Sequence, residues 1–504
     1  RICAGTRTAD AMDVRPDEGM EGGVFAPYGG KYEGSGRDRG LTPFPRTPEE
    51  QGSKIQKRGA ESTFNILESY SLFWMSNVSE RIKNWYKSEK QRNPVLTMFF
   101  TILVIFIVIT LFSAVLSGGK TFSWMFIEDW TDTFNDHFNS VMYSSDNPYT
   151  YWKVIYPPLI TLVYATIGHY TIPFTVDYGY PTLALNMRSS DEPMMVFVIF
   201  MVVSLYVLRL IIIKLTNKEL KSKTEILCGL LLFSYPILLC IDRGNCLIYC
   251  ISFCFLFLMG YQSDNKIIRY LSYISLGIAT GIKIFPAIFA ILIIKERKWK
   301  ELGYCFIMVV AILFLPFLLT DGTPLSLLDT IMNYSTDSAG KDGLINIKDY
   351  VNMIPVSVEI KKILGNCIAL LVLSLSLLSI VFDKQMKSWK AITIISCNLV
   401  FSFSIGTTYV CLYMIFGLIY FLLTEKTNTV ENKILVICFS IVFALMPGID
   451  FGTICGYPVG LKILPTIKSM AVITILVVLL VGSYRNMLRC YKKTKFSTEE
   501  LSVD

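Results

Sequence analysis

Histidine and paired cysteine motifs are scarce in this chain of 504 residues. It has only two histidines, His137 and His169, which are too few for a histidine-rich metal site. Its thirteen cysteines show no repeated Cys-x-x-Cys spacing. Cys246, Cys250 and Cys254 recur every four residues along one apolar segment, as small side chains do where helices pack. The sequence therefore predicts no metal site.

Charge is also sparse, and this excludes an ordinary water-soluble protein. Only 17% of the residues are charged and 53% are hydrophobic, so we expect an all-α polytopic membrane protein. The net charge of +7 lies mainly in short loops between apolar runs, where it sets orientation, so we expect no nucleic-acid partner. Apolar runs that approach the roughly 20 residues of a span lie near 95–117, 194–213, 226–241, 245–260, 303–319, 363–382, 389–405, 409–423, 432–447 and 467–483.

The first 74 residues lack any apolar period and are rich in Gly, Pro and charge, which predicts disorder. The chain begins with Arg1, whereas the stretch from Met75 is typical of an amino terminus before a signal-anchor helix. The first residues are therefore either a fragment or misplaced start, or a genuine cytoplasmic tail. The expected organisation is a tail at 1–74, a cytoplasmic basic segment at 75–94, a membrane domain at 95–485 and a cytoplasmic tail at 486–504.

The basic residues between the apolar runs predict which loops face the cytoplasm. Those at 83–92 precede the first span and place it with its amino terminus inside. A complete crossing by 154–174 would export the lysine-rich loop 214–223, so we expect 154–174 to be an external helix that lies on or dips into the bilayer. Likewise, 268–294 should be a hairpin of two short or broken helices. This topology has about twelve crossings.

The predicted external face contains an unusual acidic loop. Asp132 and Asp136 are four residues apart, which on a helix brings their Cβ atoms to about 5–6 Å. Such a pair could deprotonate a hydroxyl acceptor; a solvated acidic loop is the alternative. Further on, Tyr156-Pro157-Pro158 marks a helix start at the interface. Tyr156 is there either an interfacial aromatic or a lipid contact.

Two cations border apolar segments on the same predicted face. Arg243, in Asp-Arg-Gly-Asn, lies near the membrane boundary, where a charge costs about 2.5–3.5 kcal/mol. Phosphate recognition through two parallel bonds would justify it; Asp242 pairing with Arg243 or capping a turn is the alternative. Lys283 has no acid nearby in sequence. It either meets the phosphate of a lipid carrier or extends to the surface.

Together these segments resemble a known family. The run DTFNDHFNSVMYSSDNPY, then YPPL, then DRGN and GIKIFPAIFAILIIKERKWK are similar to bacterial members of glycosyltransferase family 87 and its DUF2029 relatives, in the GT-C superfamily. The resemblance covers roughly residues 95–485. It implies a GT-C-like bundle of about 10–12 transmembrane helices, with short interfacial helices in an external first loop.

The resemblance also implies a function. It is the transfer of a sugar, a hexose such as mannose or a pentose, from a polyprenyl-phosphate donor to a glycan or glycolipid acceptor, with inversion, on the outer face of a bacterial plasma membrane. No cofactor is expected besides the donor. The Lys-, Ile- and Asn-rich body departs from the mycobacterial mannosyl- and arabinosyltransferases of the family, which leaves sugar and acceptor open.

Residue roles follow from the same resemblance. The base would be Asp132 or Asp136; Arg243 and Lys283 would bind the donor phosphate and Asn245 would orient it. Other residues expected to line the site are Asp242, Tyr149 and Tyr156. The competing functions are a flippase or transporter of a lipid-linked sugar, and a surface-polysaccharide polymerase or ligase. The lack of the internal repeat that many transporters show favours the enzyme.

Overall fold

The computed structural model describes most of the chain from residue 80 onward. These residues belong to one compact unit, Glu80–Asp504. The predicted tail at 1–74 lies outside them, as does part of the basic segment at 75–94. The described residues are 80, 83–84, 87–88, 91–123, 125–126, 132–221, 223–333, 344–402, 408–448, 453–454 and 457–500.

The first long helix begins where its sequence provides a cap. The Asn93 side-chain oxygen accepts a hydrogen bond from the backbone N–H of Leu96 at 3.0 Å, and Pro94 occupies the first helical position, where its missing N–H costs nothing. Between residues 94 and 220 the helices are α1 (Pro94–Leu116), α2 (Lys120–Ser123), α3 (Asn135–Ser144), α4 (Pro158–Thr171, followed by a 3-10 turn at Ile172–Phe174), α5 (Leu183–Ser189) and α6 (Asp191–Leu220).

The middle of the chain contains the predicted break. Lys283 is extended, with φ −141° and ψ 130°, so the apolar segment 268–294 is divided into two helical pieces as expected. The helices are α7 (Lys223–Leu232), α8 (Tyr235–Asp242), α9 (Leu247–Gly260), α10 (Lys266–Ile282), a 3-10 helix at Phe285–Ala290, α11 (Ile291–Lys295) and α12 (Trp299–Phe314), which continues as a 3-10 turn at Leu315–Leu319.

The last third is also helical apart from one short pairing. Two-residue strands β1 (Thr453–Ile454) and β2 (Tyr457–Pro458) pair antiparallel, with Thr453 opposite Pro458. The helices are α13 (Pro324–Asn333), α14 (Ile347–Asn352), α15 (Val358–Phe382), α16 (Ser388–Phe401), a 3-10 helix at Thr408–Tyr413, α17 (Met414–Thr424), α18 (Val430–Phe443) and α19 (Val459–Glu500). The predicted all-α class of a polytopic membrane protein is confirmed.

The number of crossings can be compared with the helix lengths. Among the described residues, five helical segments are long and apolar enough to span a membrane, and the bent pair α7–α8 makes six if it is one span. Other predicted spans fall on shorter helices, so the total of about twelve stays a prediction. α4 has 14 residues, about 21 Å at 1.5 Å per residue, which is less than a hydrocarbon core of about 30 Å. The five are Pro94–Leu116, Asp191–Leu220, Trp299–Leu319, Val358–Phe382 and Ile463–Tyr491.

The core consists of helices that are apolar on every side. α9 and α17 bury most of their side chains, as expected for helices without a polar face. α9 packs against α10, and α17 packs against α16. α6, α12 and α15 instead leave many large apolar side chains exposed, as helices that face lipid do. The candidate active site lies at the C-terminal ends of α8 and α10.

Candidate active site

A glycine-dependent turn ends α8 and presents the first functional side chains. The backbone N–H of Gly244 donates to Ile241 at 2.8 Å, and that of Asn245 donates to Cys240 at 2.9 Å. This pair of bonds is the Schellman motif, which needs a left-handed residue after the helix. Gly244 supplies it with φ +67°. The turn is why Arg243 and Asn245 flank a glycine in the sequence.

The same turn caps the start of α3. The N–H of Phe134 donates to the carbonyl of Asp242 at 2.7 Å, and that of Asp136 donates to the carbonyl of Arg243 at 2.9 Å. These bonds satisfy donors that a helix start otherwise leaves free. A Cβ on Gly244 would lie 2.9 Å from the Cβ of His137, so the contact also requires glycine. Two distant stretches are thereby fixed to each other through their backbones.

Side chains then complete the link around one carboxylate. One oxygen of Asp136 accepts a hydrogen bond from Nη2 of Arg243 at 2.8 Å, and the other accepts from Nδ2 of Asn245 at 2.7 Å. The Asn245 oxygen accepts from the N–H of Leu247 at 3.0 Å, which fixes the amide orientation. Asp136 is therefore held by a cation and a neutral donor at once.

Asp132 differs from Asp136 in exposure and in partners. Its carboxylate lies 3.6 Å from Nη1 of Arg243, and its side chain is 42% exposed, against 16% for Asp136. It also accepts a hydrogen bond from the Asn135 amide at 3.1 Å. Burial lowers the pKa of the Arg243 guanidinium, but Asp136 and then Asp132 outweigh it, so the net pKa is raised and the cation is secure.

An open, mainly apolar pocket lies beside this cluster. Lys283 enters it from the break after α10, and its ammonium stands 4.3 Å from the centre of the Tyr156 ring. The pocket encloses ≈ 630 Å³ including its mouth. Its lining residues are Ile155, Tyr156, Pro157, Leu247, Lys283, Ile284, Phe285, Ile331, Leu399, Tyr409, Val410 and Tyr413.

Electrostatics connect the pocket to Asp136 in particular. Burial raises the pKa of the Tyr156 hydroxyl, and the nearby charge of Asp136 raises it further. Lys283 also lies within electrostatic range of Asp136. Behind the carboxylate, burial lowers the pKa of His137 to about 3, so this ring is neutral at pH 7 and adds no charge. The negative charge of Asp136 therefore acts on both Tyr156 and Lys283 of the pocket.

Two of the predicted lining residues act from outside the pocket. Tyr149 is buried in a small neighbouring core with Val154, Phe317 and Leu327, and its hydroxyl donates to the carbonyl of Tyr156 at 2.8 Å. It supports the backbone that carries Tyr156. Asp242 contributes its carbonyl to the cap of α3, as described above.

The structure adds two residues that the sequence reasoning missed. Tyr409 lines the pocket and lies near both Asp136 and Lys283. Nη1 of Arg188 donates to the carbonyl of Thr133 at 2.8 Å and so holds the loop before α3. Arg188 lies shortly before the apolar run 194–213, and that position near the start of a predicted span was the available signal. Tyr409 had none, because it is one aromatic among many.

Comparison with known proteins indicates the class of activity. Residues 154–341 match the model for glycosyltransferase family 87. The match includes Tyr156, Arg243, Asn245 and Lys283, begins after Asp132 and Asp136, and confirms the resemblance over this stretch. It indicates a glycosyltransferase. Neither a curated protein nor a solved structure matches the chain.

Proposed function

We propose that this membrane protein transfers a sugar from a polyprenyl-phosphate donor to a hydroxyl of a glycan or glycolipid acceptor. The observation that carries the proposal is the Asp136 carboxylate, held by Arg243 and Asn245, beside an apolar pocket that contains Lys283. The match to glycosyltransferase family 87 supports the reaction class. The lipid donor is inferred from the chemistry of the pocket.

The pocket offers what a prenyl-linked phosphate would need. Its aliphatic and aromatic walls suit the first isoprene units, because their burial removes apolar surface from water. Among the described residues, Lys283 has an aromatic ring beside its ammonium but neither a hydrogen-bond acceptor nor an ion-pair partner. A phosphate would satisfy that cation. Arg243 would supply the second positive charge.

Asp136 is the proposed base because its charge acts on three residues that line this pocket: Tyr156, Lys283 and Tyr409. It would accept the proton of the acceptor hydroxyl as the acceptor oxygen bonds to the anomeric carbon. The bond from that carbon to the phosphate oxygen breaks, and polyprenyl phosphate leaves with the electron pair. Lys283 and Arg243 would stabilise this charge. Attack opposite the leaving group inverts the anomeric centre.

The orientation of the site follows from the charge rule. The basic residues at 83–92 would place the first loop, and with it Asp136, on the outer face of a bacterial plasma membrane. Asn245 would keep Asp136 oriented while Arg243 engages the donor. Assaying a panel of donors would identify the transferred sugar, which is a hexose or a pentose.

The test is sugar transfer by purified protein with a panel of polyprenyl-phosphate sugars and detection of released polyprenyl phosphate. We expect Asp136→Asn to lower the rate about a hundredfold to ten-thousandfold with donor binding retained, because the amide cannot accept the proton. Asp132→Asn should have a smaller effect. The matched control is Asp146→Asn, an exposed acid of the same loop whose side chain accepts from Asn147.

Three results would contradict the proposal. Wild-type rates of transfer in both Asp136→Asn and Asp132→Asn would show that neither carboxylate is the base. Movement of an intact lipid-linked sugar across the vesicle membrane, without release of polyprenyl phosphate, would favour the flippase or transporter function. A donor that must carry a diphosphate-linked oligosaccharide would favour the polymerase or ligase.

A further inference from the structure

A second, polar recess lies away from the candidate active site. It forms where the end of α11 meets the end of α15, and it encloses ≈ 580 Å³ including its mouth. We name it the α11–α15 recess. Its lining residues are Lys295, Glu296, Arg297, Val381, Asp383 and Lys384.

The two acids of the α11–α15 recess already have partners. Asp383 is buried and accepts hydrogen bonds from the Ser483 hydroxyl at 2.9 Å and from the N–H of Gln385 at 3.1 Å. Glu296 accepts from the Gln262 amide at 3.1 Å. These donors are neutral, so both carboxylates keep their negative charge, and the three cations of the recess exceed its two acids by one charge.

The three cations of the recess lack such partners. No ion pair or hydrogen bond to the side chains of Lys295, Arg297 or Lys384 occurs within the described part of the chain. Lys295 is half-buried, whereas Arg297 and Lys384 are exposed. The recess therefore presents three cationic donors with unused hydrogen-bonding capacity, and its net charge of +1 favours an anion.

One of these cations, Arg297, stands at a backbone position that favours glycine. The N–H of Arg297 donates to Ile294 at 2.9 Å and that of Lys298 donates to Ile293 at 3.2 Å, which repeats the Schellman pattern at the end of α8. Here the left-handed position, with φ +56°, holds Arg297 and not glycine. An L side chain in this conformation costs free energy. Residues in strained backbone conformations cluster at ligand-binding and active sites.

The surroundings of the recess suit a lipid more than a soluble anion. Trp299 begins α12 directly after the recess and Phe382 ends α15 directly before Asp383; each is 64% exposed. Both helices lie in candidate spans, so the recess sits at the end of two spans, where headgroups lie. Exposed apolar side chains run along both helices away from it: Phe306 and Ile307 on α12, and Leu375 and Leu378 on α15.

We propose that the α11–α15 recess binds the phosphodiester headgroup of an anionic phospholipid, with its acyl chains against the exposed faces of α12 and α15. Basic pockets between transmembrane helices bind such headgroups through charge and hydrogen bonds. Lys295, Arg297 and Lys384 donate to the phosphate oxygens. The site is independent of the proposed sugar transfer.

The test measures lipid binding to the full chain in detergent by native mass spectrometry, and its unfolding midpoint with added lipid. Phosphatidylglycerol is the probe, phosphatidylcholine the neutral control and inorganic phosphate the soluble control. We expect only phosphatidylglycerol to bind and to raise the midpoint. Arg297→Gln and Lys384→Gln should each weaken binding about tenfold or more, because each removes a charge-assisted bond.

Arg297→Gly separates binding from folding. Glycine accepts the left-handed backbone, so this variant should unfold at an equal or higher temperature without lipid and yet lose most of the lipid-induced rise. The matched control is Lys300→Gln, an exposed cation on α12 that does not line the recess. Equal losses in Lys300→Gln and Arg297→Gln, or an equal midpoint rise with inorganic phosphate, would overturn the proposal.

Discussion

Two lysines in apolar surroundings define two different regions of this protein. Lys468, on α19, is completely buried, and its ammonium donates to the carbonyls of Ile441, Val442 and Ala444 at 2.9, 3.1 and 2.9 Å. Lys283, at the pocket, has the Tyr156 ring beside it and no acceptor among the residues the structure describes. Both are cations where charge is expensive. Only the ammonium of Lys468 donates hydrogen bonds to acceptors among the described residues.

The difference separates a structural cation from a binding one. The carbonyls around Lys468 belong to the last turn of α18 and the residue after it, where a helix leaves acceptors free and carries partial negative charge. Lys468 therefore acts as the cap of α18 from a neighbouring helix. Among the described residues no helix end offers its carbonyls to the Lys283 ammonium, so the donors of that ammonium stay available to a ligand. Burial alone does not distinguish Lys468 from Lys283, whereas their hydrogen-bond partners do.

The largest expected effect comes from removing Lys468. Lys468→Met should lower the free energy of unfolding by about 3 kcal/mol or more, because it leaves three buried carbonyls without a charged donor. The measurement is the denaturant midpoint of purified protein in detergent. Lys433→Met, at an exposed position of α18, is the control and should change it little. A stable Lys468→Met protein would make the two lysines equivalent and would remove the structural assignment.

Removing Lys283 should give the opposite pattern. Lys283→Met should leave the unfolding midpoint unchanged or slightly higher, since it deletes a cation that has no internal acceptor. Donor affinity should fall by about 1.5–3 kcal/mol, roughly tenfold to a hundredfold, because a charge-assisted bond to phosphate is lost.

Lys283→Arg retains the charge and serves as the control, with part of the affinity recovered. Binding is measured with a polyprenyl-phosphate sugar, separately from turnover. A destabilised Lys283→Met protein that binds donor normally would show that Lys283 is structural as well.

The sequence could predict the cations and acids but not their partners. Arg243 and Asn245 stood out because polar residues flank a glycine between apolar runs, and the structure brings both to Asp136. The sequence could not separate Asp132 from Asp136, because their spacing of four residues predicts one shared helix face; in the structure α3 begins at Asn135, so only Asp136 lies on the helix. Exposure and the distances to Arg243 separate them in the structure.

The cap made by Lys468 could not be predicted at all. Its acceptors are backbone carbonyls, and sequence does not show where a helix elsewhere in the chain ends. The residue stood at the edge of an apolar run and resembled any interfacial lysine. Helix existence, by contrast, followed from apolar length, and the break at Lys283 followed from basic residues on both sides of one run. The sequence therefore predicted the helices and the candidate charged residues, but not which distant residues those side chains contact.

The smallest expected effect concerns the ring that accompanies Lys283. A cation over an aromatic face gains about 0.5–2 kcal/mol depending on desolvation, so Tyr156→Leu should weaken donor binding about threefold to thirtyfold by letting the ammonium move. Tyr156→Phe keeps the ring face and should bind donor nearly normally. Transfer by Tyr156→Phe should also persist, because Asp136 and not the Tyr156 hydroxyl takes the proton. If Tyr156→Phe loses transfer while Tyr156→Leu binds donor normally, the hydroxyl takes part in the chemistry and the ring does not position Lys283.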